Sequence, residues 1–163
     1  MLGATCMSGR SRHPLCITDR HERRAMTVSV RPFRHQVNGI DWYCEQRGEG
    51  PPVVLVPSGE GDCGVFDWVA TQLANEFTIL TFDTPGFSRS QAGTSDISMS
   101  KLGDQIACLL RSLGTGPSTF YGSSSGGVAV LDLVVRHGDL VRNAVVHEVT
   151  MPSAAHYSAT SWH

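Results

Sequence analysis

The order of hydrophobic patterns along this chain predicts an α/β fold, a mostly parallel sheet covered by helices with an antiparallel hairpin at its start. Three observations carry that reading. Residues 53–56 (Val-Val-Leu-Val) and 77–82 are short β-rich, largely apolar runs, the signature of parallel strands buried on both faces. Stretches of helical period separate such runs, and the alternation of strand and helix repeats along the chain. Asn38-Gly39 stands between two further β-rich stretches, where its easy access to positive φ makes a two-residue hairpin turn.

Taken in order, residues 1–31 hold five arginines before Met26 and two acids, with no helical or strand period, and read as a disordered leader. Met1 and Met26 are both available as the start, and an arginine-rich transit peptide is the rival reading, weakened by Asp19 and Glu22. The core spans 32–150. Its hairpin is 33–37 with 40–46, ended by Gly48, Gly50, Pro51 and Pro52. After the strand 53–56 comes a loop, 57–63, and then Phe66, Val69, Ala70, Leu73 and Ala74 at helical spacing. The strand 77–82 ends at Asp83, and a Gly-, Ser- and Thr-rich loop follows. Leu102, Ile106, Leu109, Leu110 and Leu113 share one helical face, with Gly114 placed as the stop. A strand at 118–121 leads into a helix whose core face is read as Val128, Leu131, Val134 and Val135, and 143–146 is one more strand. Residues 151–163 form an irregular tail without period.

Bulk properties narrow the function. A net charge of −2 without long basic runs gives no electrostatic reason to bind nucleic acid or an acidic membrane, so the expected ligands are small and uncharged. No apolar run approaches the roughly 20 residues of a membrane span. The five cysteines, odd in number and without C-x-x-C spacing, suggest neither a disulfide framework nor a metal site, and the expected compartment is the cytoplasm.

Gly122-Ser123-Ser124-Ser125-Gly126 fits G-x-S-x-G, with an apolar strand before it and an apolar helix after it. That context makes a nucleophile elbow, the mark of the α/β-hydrolase fold: Ser124 projects above the sheet in a strained turn, and the helix N-terminus points its positive end at a forming oxyanion. The bland alternative is a Gly/Ser loop in which Ser123 or Ser125 merely caps the helix. An oxyanion hole needs two backbone N–H groups. One belongs to the residue after the nucleophile, Ser125, and the other comes from the loop Pro57-Ser58-Gly59-Glu60-Gly61, where Gly59 is the candidate because it lets substrate approach the backbone. The acid of a triad follows the serine and stands at a strand end, which selects Glu148. Asp83 precedes the serine and reads as structural, hydrogen-bonding the loop backbone as an Asx turn within the segment 83–90, in which Pro85 fixes φ and Gly86 goes left-handed.

On the pieces NGIDWYCEQRG, VVLVPSGEGD, TFDTPGFSRS, GSSSG and RNAVVHE, residues 38–148 resemble the fungal zearalenone hydrolases, lactonases of the α/β-hydrolase fold. The resemblance implies Ser124 as nucleophile, Glu148 as acid, Gly59 and Ser125 as oxyanion donors, and acyl transfer on an ester or lactone, such as a zearalenone-like macrolactone, without metal or organic cofactor. It covers about two-thirds of the chain. Ser123 stands where that group typically has cysteine, HEVT replaces HELP, and nothing past about Pro152 matches.

The triad histidine is not found in this chain. His147 adjoins Glu148, and neighbouring residues at a strand end point opposite ways, while His156 and His163 lie in the irregular tail. The expectation is therefore the N-terminal part of the fold, with cap domain and last strands missing, inactive as a fragment and carrying a free sheet edge that favours association or a homodimer. Two other classes share these features: another α/β-hydrolase acting on esters, epoxides or carbon–carbon bonds, and a non-catalytic fragment or ligand-binding receptor.

Overall fold

Asn38 and Gly39 have φ of 51° and 75°, left-handed at both central positions as a two-residue hairpin turn requires. They join strand β1 (Arg31–Val37) to β2 (Ile40–Arg47), whose antiparallel register runs from Val37 opposite Ile40 to Arg31 opposite Gln46. The structure, a computed structural model, describes residues 28–91 and 99–149, so most of the expected leader, part of the Gly/Ser/Thr loop and the tail lie outside the described residues.

The chain continues through β3 (Pro52–Val56), a 3-10 turn (Cys63–Phe66), α1 (Asp67–Leu73), β4 (Thr78–Phe82), α2 (Met99–Ser112), β5 (Ser118–Ser123), α3 (Ser124–Arg136), a second 3-10 turn (Gly138–Leu140) and β6 (Val141–His147). The sheet order is β1-β2-β4-β3-β5-β6. β4, β3, β5 and β6 are parallel, as the alternation of patterns predicts, and β2 joins β4 antiparallel. β6 stands at the edge, with Val145 and Val146 exposed.

Two cores form because successive residues of a strand face opposite sides of the sheet. Ile40, Trp42, Cys44, Val54, Val56, Leu80, Phe82 and Phe120 pack under α2 and α3, where the Trp42 and Phe82 rings meet edge to face at 5.2 Å. Val53, Leu55 and Ile79 pack on the other side under Phe66, Ala70 and Ala74 around α1. Each large apolar side chain so buried contributes about 1.5–3 kcal/mol. The face expected of α2 is the buried one, and its end is a Schellman turn: Gly114, at φ 66°, donates to the Arg111 carbonyl and Thr115 to that of Leu110.

One expectation is overturned. The face of α3 turned to the sheet is Gly126, Gly127, Ala129, Val130 and Leu133, whereas Val134 is 40% and Val135 82% exposed, and Val128 and Leu131 are only half-buried. The helix SSGGVAVLDLVVR is apolar almost all round, so period alone does not choose its inner side. The elbow chooses it, by pressing the small residues of the first turns against β3 and β5.

Candidate active site

Three loops leave the sheet together at its carboxyl edge. The parallel register pairs Val56 with Gly122 and Ser123 with His147, so the chain departs from β3, β5 and β6 at nearly one level. β3 is also where strand order reverses, β4 lying on one side of it and β5 on the other, with α1 and α3 on opposite faces. Such a reversal opens a crevice outside the strand ends, which is where ligands bind in sheets of this type.

Ser124 is the first residue of α3, is exposed, and has φ of 49°, a left-handed conformation that side chains with a Cβ rarely adopt. The glycines on either side are needed for close approach. A Cβ at Gly122 would lie 2.5 Å from the Gly126 carbonyl oxygen, and one at Gly126 would lie 2.5 Å from the Pro57 oxygen and 2.6 Å from that of Val56. The same contact brings the start of the 57–61 loop against the first turn of α3. Ser123 is the N-cap yet makes no side-chain capping bond, so a helix merely capped by its serines is not what forms, and the first N–H groups of α3, Ser125 among them, have no intrahelical acceptor.

The loop after β3 is held by a turn in which the Gly61 N–H donates to the Ser58 carbonyl at 3.1 Å, with Gly59 and Glu60 between them. Glu60 folds back: its Oε1 accepts from the Ser58 N–H at 3.2 Å and its Oε2 from the Ser58 hydroxyl at 2.5 Å. Burial pushes the Glu60 carboxyl up, but the bonds from the Ser58 hydroxyl and from the backbone N–H groups of Glu60 and Ser58 outweigh it and leave it below its usual value. Gly59 is exposed, a Cβ there would meet nothing within 4 Å, and its N–H has no hydrogen-bond partner among the described residues. The protein's own packing therefore does not require glycine at 59; open space above the backbone does accompany it.

Glu148 follows the last residue of β6, exposed and with φ of 49°. Since His147 pairs with Ser123, Glu148 and Ser124 are the residues that directly follow the paired ends of neighbouring strands β6 and β5. Sequence reasoning thus selected four residues, Gly59, Ser124, Ser125 and Glu148, that the topology gathers at one end of the sheet. His147 ends β6 and is exposed, His137 lies past the far end of α3 with Nε2 2.8 Å from Asp104, and His35 is on β1, 2.8 Å from the Ser112 hydroxyl.

Asp83 is fully buried and ties the loops together. It accepts from the Cys63 N–H at 2.9 Å, from the Arg89 N–H at 2.9 Å, and from the Arg89 guanidinium at 2.7 and 2.9 Å. Burial pushes its carboxyl up, and these donors, Arg89 foremost, draw it down to about 2. The structural role read for Asp83 holds, but not as an Asx turn: its partners stand six and twenty positions away, and its carboxylate bridges two loops. Gly86 takes φ of 84° as expected, Thr84 donates to the Gly61 carbonyl at 2.8 Å, and the Ser88 hydroxyl donates to Asp62 at 2.8 Å. Arg89 also lies 3.8 Å over the Tyr43 ring.

Asp62, Cys63 and Asp83 have donor atoms within 4.8 Å of one another, a spacing that a metal ion could use. The Arg89 guanidinium already occupies it, reaching Asp62 at 3.2 Å and the Cys63 sulfur at 3.4 Å. Burial, with the nearby Asp83, pushes the Cys63 thiol up to about 12. The cluster is an internal ion pair between the 57–63 and 83–90 loops. Arg89 and the Ser58–Glu60 pair escaped the sequence reading; the one signal for the latter was an acid two positions beyond a serine in a loop flanked by glycines.

Comparison with known proteins agrees with this geometry. Residues 51–161 match the sequence pattern of the α/β-hydrolase fold family. The chain is 40% identical over 129 residues to a zearalenone hydrolase of Bionectria ochroleuca, covering 76% of this chain and 49% of that one, and 40% identical over 117 residues to a zearalenone hydrolase of Cladophialophora bantiana, covering 69% and 44%. It spans about half the length of these relatives. Among solved structures, Cfl2 from Burkholderia cenocepacia superposes with a TM-score of 0.73 at 18% identity, over 82% of this chain and 47% of that protein. Among the described residues no helix is long and apolar enough to cross a membrane.

Proposed function

The chain belongs to the α/β-hydrolase fold family, and from that premise we propose that it carries the nucleophile half of a serine hydrolase that cleaves an ester or lactone, including macrolactones of the zearalenone kind. The observation that carries the proposal is the left-handed φ of Ser124 at the junction of β5 and α3. A backbone conformation costing about 1–3 kcal/mol persists where the surrounding structure over-determines it, which is characteristic of functional sites.

In the proposed reaction, Ser124 Oγ bonds to the substrate carbonyl carbon while an imidazole takes its proton. The tetrahedral oxyanion receives hydrogen bonds from the Gly59 and Ser125 N–H groups. Collapse breaks the bond to the leaving oxygen, which takes the proton from the imidazolium, and water then releases the acid from the serine ester. Glu148 orients and stabilises the imidazolium. The imidazole comes from outside the residues described, since His35 and His137 are engaged on other parts of the fold and His147 directly adjoins the acid it would have to face.

Added imidazole tests this reading on the chain as it is. A fluorophosphonate probe should label the protein at a rate that rises with imidazole concentration, with the adduct on Ser124. The Ser124→Ala chain should not be labelled, and His147→Ala should leave the imidazole-dependent rate unchanged. Labelling that ignores imidazole and survives Ser124→Ala overturns the assignment and favours a non-catalytic ligand-binding chain.

A further inference from the structure

We propose that Glu60 is a positioning residue that presets the oxyanion loop by tying Ser58 down and leaving the Gly59 N–H free, an inference that rests on the nucleophile reading of Ser124.

The 58–61 loop has four backbone N–H groups that could turn toward an anion. The Ser58 N–H is taken by Glu60, and the Gly61 N–H donates to Ser58. The Gly59 N–H is left without a partner among the described residues. A loop with two glycines in four residues would otherwise sample many backbone states, and an oxyanion donor is effective only if it need not reorganise when charge develops.

The far side of the loop has its own restraints, in the bonds from Thr84 to Gly61 and from Ser88 to Asp62. The near side has Glu60, whose two bonds to Ser58 are the side-chain restraints found there. A carboxylate inside an oxyanion loop opposes the charge to be stabilised, unless donors draw its charge off. Ser58 supplies both a backbone and a hydroxyl donor to it. Glutamate at 60 is thus a cost as a free charge and a gain as a tether.

The test compares wild type, Glu60→Ala, Glu60→Gln and Ser58→Ala, all as the full chain, by imidazole-supported fluorophosphonate labelling and by amide hydrogen exchange at Ser58. Glu60→Ala should slow the maximal labelling rate roughly tenfold to a hundredfold, the scale of a misplaced donor, with the probe concentration for half-maximal rate unchanged. Exchange at Ser58 should quicken by at least about tenfold as its acceptor is lost. Glu60→Gln, whose amide oxygen still accepts from Ser58, should recover most of both, and Ser58→Ala should fall between. Should Glu60→Ala fail to fold, the Gln and Ser58→Ala chains carry the comparison. Wild-type rates and exchange in every variant overturn the tether alone, whereas a wild-type chain unlabelled at Ser124 overturns the nucleophile reading and the tether with it.

Discussion

Alanine and glycine at position 124 rank in opposite orders for an ordinary helix and for a nucleophile elbow. In a regular first helical turn alanine is the better residue, by about 1 kcal/mol over glycine in a helix interior. At a φ of 49° a Cβ crowds the following carbonyl and costs about 1–2 kcal/mol. Glycine avoids that cost but loses roughly 0.5–1 kcal/mol more chain entropy on folding. At the middle of these ranges Ser124→Gly is more stable than Ser124→Ala by about 0.75 kcal/mol. Ser124 is exposed and its side chain has no hydrogen-bond partner among the described residues, so both variants lose the same small amount of contact. Urea unfolding followed by fluorescence of the buried Trp42 reads the result. With a slope of about 2 kcal/mol/M the glycine midpoint should lie roughly 0.3–0.5 M above that of alanine, at equal slopes. An alanine midpoint equal to or above the glycine one would mean that the backbone at 124 is an ordinary helix start, and the geometric basis of the site would be lost.

Two further outcomes follow from the packing. Asp83 titrates at about 2 in the folded chain against its ordinary 3.8, so its stabilisation is fully present above about pH 4 and is lost as pH falls toward 2. Asp83→Asn should therefore cost about 2 kcal/mol near neutrality, with the gap to wild type narrowing below pH 4 in urea midpoints, and a gap constant down to pH 2.5 would contradict the clamp. On α3, Leu133→Ala should destabilise by roughly 2–5 kcal/mol because Leu133 is fully buried, while Val135→Ala, at an 82% exposed site, should stay within about 0.5 kcal/mol. Similar thermal shifts for the two would put the core on the wrong side of the helix.

The fold was largely legible because each element carries its own local signal. Asn38-Gly39 names a hairpin turn, the run at 53–56 names a strand buried on both faces, and Gly114 names a helix stop, each through interactions between residues close in sequence. The inner face of α3 was not legible, because a helix apolar on all sides has no preferred stripe until something packs on it. That Gly59, Ser124, Ser125 and Glu148 fall just past strand ends was also legible, because each follows a local strand pattern. Arg89 and Glu60 were not, since Arg89 acts on Asp62 and Cys63, more than twenty positions away, and Glu60 acts through a loop shape that no period encodes.

By itself, then, the sequence determined which segments are strands and helices, and that a serine between two glycines follows one and opens the other. Only the tertiary structure decided that β3, β5 and β6 end side by side, that the small residues of α3 face inward, and that the Gly59 N–H has no partner among the described residues. The physical reason is range. Turn and helix preferences are set within a few residues, whereas strand order, the choice of a buried face and the pairing of Asp83 with Cys63 are settled by contacts between residues far apart along the chain.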